Sequence, residues 1–94
     1  MNQLSLIAIW YVYFLESKNS DFVYIGMTNN VKARLLEHNS GNVFSTRPYA
    51  PFSIVGYIAL PTKQRAAALE QYFKTGSGKA VLKKRILQST KPEA

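Results

Sequence analysis

Five residues whose side chains suit phosphodiester chemistry stand in four short segments. They are Tyr13 in Tyr11-Val12-Tyr13, Tyr24 in Tyr24-Ile25-Gly26, Arg34 and His38 four positions apart, and Glu70. A guanidinium can neutralise the charge of a phosphate, an imidazole or phenol can move a proton, and an isolated carboxylate can hold a hard cation. Hydrolysis of a phosphodiester uses all three functions, so the set indicates a phosphodiesterase active site.

The composition argues against several other kinds of site. The chain has no Cys, one His and no Ser in a Gly-x-Ser-x-Gly setting, so thiol, structural-zinc and acyl-transfer chemistry are poorly supported. Twelve Lys and Arg against five Asp and Glu give a formal net charge of +7. This charge favours a polyanionic partner, of which nucleic acid is the simplest, although it also fits membrane-surface and ribosome-associated proteins.

The length of 94 residues predicts a single domain of two packed layers, with a core over about residues 10–87 and a frayed tail at 89–94. The apolar run from Leu4 to Leu15 follows no Lys or Arg and is far shorter than a membrane span, so it predicts a buried strand. Without a targeting signal or Cys, we expect a cytoplasmic protein that does not associate with a membrane.

The two tyrosine segments fall in two strand-like runs. Trp10 to Glu16 and Phe22 to Met27 are rich in β-branched and aromatic residues, and Ser17 to Asp21 between them are turn residues. This pattern predicts an antiparallel hairpin that places both tyrosine motifs side by side.

A short helix is predicted over Val31 to Asn39, with N-cap candidates at 28–30 and a stop at Gly41. Val31, Leu35 and His38 lie on one side of this helix. The spacing of four places Arg34 and His38 on neighbouring turns, so that both can reach one phosphate.

The rest of the chain predicts one more strand and two more helices. After an irregular stretch, Phe52 to Leu60 forms the third strand, Thr62 caps a helix from Lys63 to about Lys74, and Ser77 caps a basic helix through Leu87. The fold class is therefore α+β: a small, mostly antiparallel three-stranded sheet flanked by helices, in the order β-β-α-β-α-α.

Glu70 lies in an apolar stripe formed by Ala66, Leu69 and Phe73. A carboxylate in that position faces inward, where it costs stability unless it is paired or binds a metal; the alternative is a glutamate that reaches solvent at the edge of the stripe. No second inward carboxylate is evident, which predicts one metal ion rather than two.

Together these motifs resemble the GIY-YIG endonuclease superfamily, and within it the small stand-alone proteins, from about Trp10 to Leu87. Tyr24-Ile25-Gly26 matches the second motif. Tyr11-Val12-Tyr13 stands where the first motif would and keeps its final tyrosine, while Arg34-x-x-x-His38 and Glu70 complete the pattern in order and spacing.

The resemblance implies a metal-dependent DNA endonuclease with Tyr13, Tyr24, Arg34, His38 and Glu70 as catalytic residues. Glu70 would bind one Mg²⁺ or Mn²⁺, Arg34 would neutralise charge on the phosphate, and Tyr24 would orient water or phosphate. Tyr13 would align or deprotonate the attacking water, with His38 relaying the proton. As a base, Tyr13 would need a pKa well below the usual value of about 10, and Arg34 acts in that direction; whether Tyr13 or His38 is the base stays open.

Candidates for substrate binding lie in two regions. They are Tyr11 and Gly26 in the tyrosine motifs, and Lys74, Ser77 and Lys79 in a glycine-containing basic segment. That segment would substitute for an asparagine that many family members carry after the metal-binding glutamate, since the last Asn of this chain is Asn42. A helix stop followed by a helix start explains the segment equally well.

The expected substrate is DNA, with single-stranded or branched DNA preferred, in repair, recombination or processing during DNA uptake. Arg47, Tyr49 and Phe52 suggest a groove that stacks unpaired bases. Two alternatives remain: a nucleic-acid-binding module of the same fold without catalysis, and a small basic protein of the ribosome or nucleoid. The sequence does not indicate an oligomeric state.

Overall fold

The computed structural model describes residues 8–87 and contains a three-stranded sheet packed between helices. The elements are β1 (Trp10–Ser17), β2 (Val23–Thr28), α1 (Val31–Asn39), a short 3₁₀ turn (Arg47–Tyr49), β3 (Phe52–Leu60), α2 (Lys63–Phe73) and α3 (Gly76–Val81), which continues as a π-helical turn (Leu82–Ile86). The strand order is β2-β1-β3 and both pairings are antiparallel. The predicted α+β class and element order are confirmed.

The strand boundaries differ slightly from the prediction. β1 extends to Ser17, whose amide donates to the carbonyl of Phe22 at 2.9 Å, and β2 therefore begins at Val23. Within the described residues, the strand predicted for the apolar run from Leu4 begins at Trp10, after residues 8 and 9. Residues 4–7 and the tail at 89–94 lie outside the described residues.

The central strand sends its side chains alternately to two different layers. On one face Val12 and Phe14 pack with α2 and α3 through Ala66, Phe73 and Leu82. On the other face Tyr13 and Leu15 pack with Phe52, Val31 and Leu35. Tyr13 therefore belongs to the α1 layer, whereas its two neighbours in sequence belong to the α2 layer.

Helix α1 has the predicted boundaries because both of its ends are capped. The Asn30 side chain accepts a hydrogen bond from the Ala33 amide at 3.0 Å, and Gly41 takes a positive φ of 80° just after the helix, a conformation that glycine adopts without strain. At the last helical residue, the Asn39 side chain accepts from the Phe52 amide at 2.6 Å and donates to the Phe52 carbonyl at 3.1 Å. These two bonds fix the end of α1 to the start of β3.

Helices α2 and α3 are joined by a tight turn whose cap differs from the prediction. Thr62 caps α2 as predicted, by accepting from the Arg65 amide at 3.1 Å. Thr75, and not Ser77, caps α3: its Oγ1 accepts from the Gly78 amide at 3.1 Å and donates to the Tyr72 carbonyl at 2.6 Å. Because α2 stops at Phe73, the first hydroxyl after it occupies the cap position.

One residue of β3 is bulged out of register with β1. Phe14 pairs with Gly56 and Leu15 pairs with Ile54, so Val55 has no partner of its own across the ladder. A bulge shifts the alternation of side chains by one position. Ile54 and Tyr57 consequently share the α1 face, although three positions separate them.

Candidate active site

The two motif tyrosines lie next to each other on adjacent strands, in the α1 layer. Tyr13 of β1 pairs with Gly26 of β2, and Tyr24 pairs with Leu15. The ring centroids of Tyr13 and Tyr24 are 6.0 Å apart, with 43° between the ring planes. The hairpin thus brings both phenols to one place, as the sequence predicts.

Gly26 leaves the space that the Tyr13 side chain occupies. A Cβ built on Gly26 would lie 2.5 Å from Tyr13 Oη and 2.7 Å from Tyr24 Cε2. Because carbon atoms do not approach this closely without a shift of one partner, a larger residue would displace both phenols. Gly26 therefore shapes the site rather than binding substrate through a side chain.

His38 lies behind the two tyrosines and is bonded at both ring nitrogens. Its Nε2 is 3.1 Å from Tyr13 Oη, and its Nδ1 is 2.8 Å from Thr46 Oγ1. The Thr46 hydroxyl donates to the Val43 carbonyl at 3.4 Å, so this oxygen accepts the Nδ1 hydrogen. In this tautomer Nε2 carries a lone pair and accepts the Tyr13 hydroxyl hydrogen.

The burial of His38 corrects one expectation. The residue is 0 % exposed, with its ring between Tyr24, at 4.7 Å, and Phe52, at 5.9 Å between ring centroids. It does not share the surface with Arg34 and cannot contact a phosphate directly. Any role of His38 is exerted through the Tyr13 hydroxyl.

Arg34 lies at the mouth of the site, with 31 % of its side chain exposed. Its Nη1 pairs with Glu37 Oε2 at 3.1 Å, an exposed contact that contributes only about 0.2–0.5 kcal/mol. Burial acts to lower the pKa of Arg34, but the interactions with Tyr13 and Glu37 raise that pKa on balance. The guanidinium therefore remains a cation beside the Tyr13 hydroxyl.

The pKa of Tyr13 moves in the direction opposite to the expected one. Burial, followed by the proximity of Tyr24, raises the pKa of Tyr13 to about 12, while Arg34 acts to lower it. The phenol is neutral near pH 7, because its desolvation outweighs the nearby cation. To accept a proton from water, Tyr13 must pass its own proton to His38 at the same time.

Burial also lowers the pKa of His38, and the charge of Arg34 adds to this effect while Glu37 opposes it. At neutral pH the imidazole is therefore neutral. A neutral ring with its lone pair on Tyr13 is the form that can receive a proton from the phenol.

Glu70 comes from the other layer. It lies on α2 beside the buried residues Ala66 and Phe73, its side chain is 15 % exposed, and its Oε2 is 3.4 Å from Lys74 Nζ. Helix α2 packs against β2, the strand that carries Tyr24. The structure thus gathers Tyr13, Tyr24, Arg34 and His38 around one point, whereas Glu70 comes from α2, a helix of the other layer.

Glu70 offers a divalent ion a single carboxylate ligand. Among residues 8–87, no three acidic, His or Cys side chains converge as a metal-binding group. Mg²⁺ commonly binds one or two carboxylates and takes its other ligands from water and substrate phosphate. A single, largely buried carboxylate is compatible with that mode of binding.

The candidate residues of the basic segment after α2 lie in three different surroundings. Lys74 pairs with Glu70, Ser77 is exposed, and Lys79 lines a cavity that also contains Glu16 and Asp21. Gly78 packs against the Tyr72 carbonyl, where a Cβ would overlap the oxygen. Gly78 therefore serves the contact between α2 and α3, in agreement with a helix stop followed by a helix start, while substrate binding by Lys74, Ser77 and Lys79 stays a prediction.

The base-stacking groove expected around Arg47 is also absent from its predicted place. Phe52 is buried at 1 % exposure, and Tyr49 already stacks on Phe22, with ring centroids 4.0 Å apart and 10° between the planes. Tyr11 instead lines a different groove, next to Tyr57. Phe52 supports the ring of His38 rather than a base.

Thr46 is the residue at this site that sequence reasoning missed. It lies in the irregular stretch eight positions after His38, where a hydroxyl residue carries no recognisable spacing. The only available signal was the need of a buried imidazole for a second hydrogen-bond partner.

Comparison with known proteins gives matches over most of the chain. The GIY-YIG catalytic domain matches residues 9–85. A UPF0213 protein of Cupriavidus pinatubonensis is 34% identical over 62 residues, 65% of this chain and 68% of that protein, and one of Cupriavidus necator is 35% identical over 68 residues, 71% of this chain and 73% of that protein. The solution NMR structure of UPF0213 protein BH0048 from Bacillus halodurans has 35% sequence identity, covers 79% of this chain and 81% of that chain, and has a TM-score of 0.48. The range matched by the catalytic domain contains all five candidate catalytic residues.

Proposed function

The chain belongs to the GIY-YIG family, and from this premise we propose that it is a nuclease that hydrolyses phosphodiester bonds of DNA with the help of one divalent metal ion. We propose that residues 1–94 act as a single nuclease domain and that the protein works in the cytoplasm, in keeping with a sequence that lacks Cys. Within residues 8–87, no helix is long and apolar enough to cross a bilayer.

The observation that carries the proposal is the hydrogen-bonded chain from Tyr13 through His38 to Thr46, with Arg34 at its open end. A buried His bonded at both nitrogens is by itself an ordinary core feature. Here the chain ends at a phenol beside a partly exposed cation. That is the arrangement needed to receive a proton next to a bound phosphate.

The residues of this site have separate roles in the proposed reaction. Arg34 binds a non-bridging oxygen of the scissile phosphate and stabilises the charge that grows there. Tyr24 orients the phosphate or the attacking water. As the water oxygen attacks phosphorus and the bond to the leaving oxygen breaks, Tyr13 takes a proton of the water and gives its own hydroxyl proton to Nε2 of His38. The leaving oxygen takes a proton from solvent, and His38 afterwards returns its proton through Tyr13 to solvent.

Thr46 positions the imidazole for this transfer. By accepting the Nδ1 hydrogen it keeps the lone pair of Nε2 on the Tyr13 hydroxyl, as carboxylates and carbonyls do for histidines elsewhere. Before the step only Nδ1 carries a proton, and after it both nitrogens do.

Members of this family generally use divalent metal ions, and Glu70 is the residue that would hold one. When bound, the ion supplies Lewis-acid stabilisation of the phosphate and leaving oxygens. Lys74 Nζ lies 3.4 Å from Glu70 Oε2 and balances the charge of the carboxylate from one side.

We further propose that single-stranded or branched DNA is cut faster than intact duplex, in repair, recombination or processing during DNA uptake. The catalytic phenol is 1 % exposed and lies behind Arg34, so a scissile phosphate has to approach closely. A flexible strand meets this requirement at a lower deformation cost than a stiff duplex. With a net charge of +7, binding should weaken as salt increases.

An incubation with plasmid, single-stranded and branched DNA tests the proposal. Each substrate is combined with the protein in Mg²⁺, in Mn²⁺ and in EDTA, and the products are resolved by electrophoresis. Cleavage with either ion and none in EDTA is expected. Cleavage of unbranched duplex at one defined site, with single strands untouched, would overturn the substrate preference.

A second candidate function is nucleic-acid binding without catalysis. It is favoured by one feature, the lack of any Asn after Asn42 in a family whose members often carry one beyond the metal-binding glutamate. Tight DNA binding with no product under any metal condition would support it. Selective binding of ribosomal RNA would instead favour a small basic protein of the ribosome.

A further inference from the structure

A groove of about 360 Å³ opens on the α1 face of the sheet. Tyr11 and Tyr57 form its floor, Val31 and Leu35 of α1 form one wall, and Lys32 lies at its rim. The rings of Tyr11 and Tyr57 stand at 84° to each other, with centroids 5.4 Å apart. Tyr57 is 57 % exposed, so its ring is available to a ligand.

This groove adjoins the candidate active site. Tyr57 is the partner of Tyr13 across the β1–β3 ladder, and Tyr11 precedes Tyr13 by two positions on the same face. In α1, Leu35 of the groove directly follows Arg34 of the site. A nucleic-acid strand whose phosphate is bound at Arg34 would therefore pass next to this groove.

The groove combines the two chemical features that a nucleotide requires. Aromatic rings and apolar side chains accept the face of a base, and cationic side chains accept the phosphates that flank it. Its volume is at the lower end of the range for pockets that hold small molecules, about 300–1,000 Å³. It therefore suits one unstacked base rather than a double helix.

We propose that this groove binds a single nucleobase of the substrate strand next to the scissile phosphate, by stacking on Tyr57 and Tyr11, with Lys32 on the adjoining phosphate. This proposal rests on the proposed nuclease function, because that function makes the bound strand a nucleic acid. It explains a preference for single strands, because a paired base is not available for stacking in the groove.

The first test compares two small probes with metal-free, isotope-labelled protein by NMR. Thymidine 5′-monophosphate carries a base, whereas 2-deoxyribose 5-phosphate carries only the sugar and phosphate. We expect the nucleotide to shift the signals of Tyr57, Tyr11 and Leu35 and the sugar phosphate to leave them in place. Equal shifts from both probes, confined to the surroundings of Lys32 and Arg34, would overturn the proposal.

The second test uses variants and a short fluorescent oligodeoxythymidylate, with binding measured in EDTA. Tyr57→Leu removes the aromatic ring and should weaken binding about fivefold or more, whereas Tyr57→Phe should bind like the parent. Tyr72→Leu is the matched control, because Tyr72 is an exposed tyrosine on α2, outside the groove. Parental affinity in Tyr57→Leu would contradict a stacking role, and thermal melting verifies that each variant is folded.

These measurements separate the two proposals. If no DNA is cut but the base-dependent shifts at Tyr57 persist, base binding in the groove is supported and the nuclease function is refuted. If DNA is cut, and a DNA strand with an abasic position beside the cut is cleaved as fast as an intact strand, the nuclease function is supported and base binding in the groove is refuted.

Discussion

Gly26 and Tyr13 are partners across the β1–β2 ladder, and the hydroxyl of Tyr13 lies only 2.5 Å from the position that a Cβ of residue 26 would take. The absence of a side chain on β2 thus sets the position of a phenol on β1. The ring of Tyr24 uses the same space, because its Cε2 lies 2.7 Å from the position of such a Cβ.

Gly26→Ala should therefore disturb both phenols. We expect a loss of about 1–3 kcal/mol in the free energy of unfolding from overpacking, and a fall in cleavage rate of about 100-fold because the reacting groups are misplaced. Gly56→Ala is the matched control on β3, since a Cβ there meets nothing within 4 Å. Equal cleavage by the two variants would contradict this account of Gly26.

Tyr13→Phe removes the hydroxyl and leaves Nε2 of His38 buried without its partner. The turnover rate should fall about 100-fold or more, as expected for loss of a proton-transfer group. The unpaired nitrogen should reduce stability by about 1–3 kcal/mol, measured by chemical denaturation. Tyr72→Phe, in an exposed tyrosine of α2, should change neither quantity; a parental rate in Tyr13→Phe would show that the site is misassigned.

Arg34→Ala removes the cation at the mouth of the site and should lower the turnover rate by about two orders of magnitude. Its effect on stability should be small, because the pair with Glu37 is exposed. Arg65→Ala removes an exposed arginine of α2 and controls for the loss of one positive charge. If both variants cut DNA equally fast, Arg34 does not act on the phosphate.

Glu70→Gln keeps the shape of the side chain and removes its charge. We expect cleavage to be lost while DNA binding, measured by electrophoretic shift, is retained, because the carboxylate would hold the ion rather than the strand. Asp21→Asn, in the exposed β1–β2 loop, controls for loss of one carboxylate. Undiminished cleavage in EDTA would show that no such ion is needed.

The stability of the protein should fall as the pH drops below about 6.5, the usual pKa of histidine. His38 has a lowered pKa in the folded state, so between its two pKa values the unfolded chain binds a proton that the folded chain does not, and unfolding is favoured. Above that window both states carry a neutral ring and the effect vanishes. His38→Gln should show a smaller loss of melting temperature between about pH 7.5 and about pH 5.5 than the parent; identical losses would refute the assignment.

The sequence predicts those features of the fold that depend on neighbouring residues. The boundaries of α1 follow from Asn30 and Gly41, and the start of α2 follows from Thr62, because caps act within a single turn. The predicted cap of α3, Ser77, was wrong. Thr75 and Ser77 are both good cap residues, and the position at which α2 ends decides between them.

Features of the site that depend on distant packing were not accessible in this way. The pairing of His38 with Thr46 requires a loop to fold back over α1. The raised pKa of Tyr13 reflects burial, which outweighs the charge of Arg34. Sequence spacing shows which residues share a helix face, but it does not show how deeply each side chain is buried. The depth of burial decides both the pairing of His38 with Thr46 and the pKa of Tyr13.

The unpaired Val55 of β3 divides that strand into two segments of opposite phase. Ahead of it Phe52 and Ile54 face α1, and after it Tyr57 faces α1, while Ile58 turns to the α2 layer. Because Val55 is the extra residue, its deletion would leave Ile54 opposite Leu15 and Tyr57 opposite Tyr13, and every side chain after it would keep its face. The bulge thus absorbs a difference in length between two paired strands. The place of Tyr57 beside Tyr13 is fixed by its partner on β1 and not by the number of residues in β3.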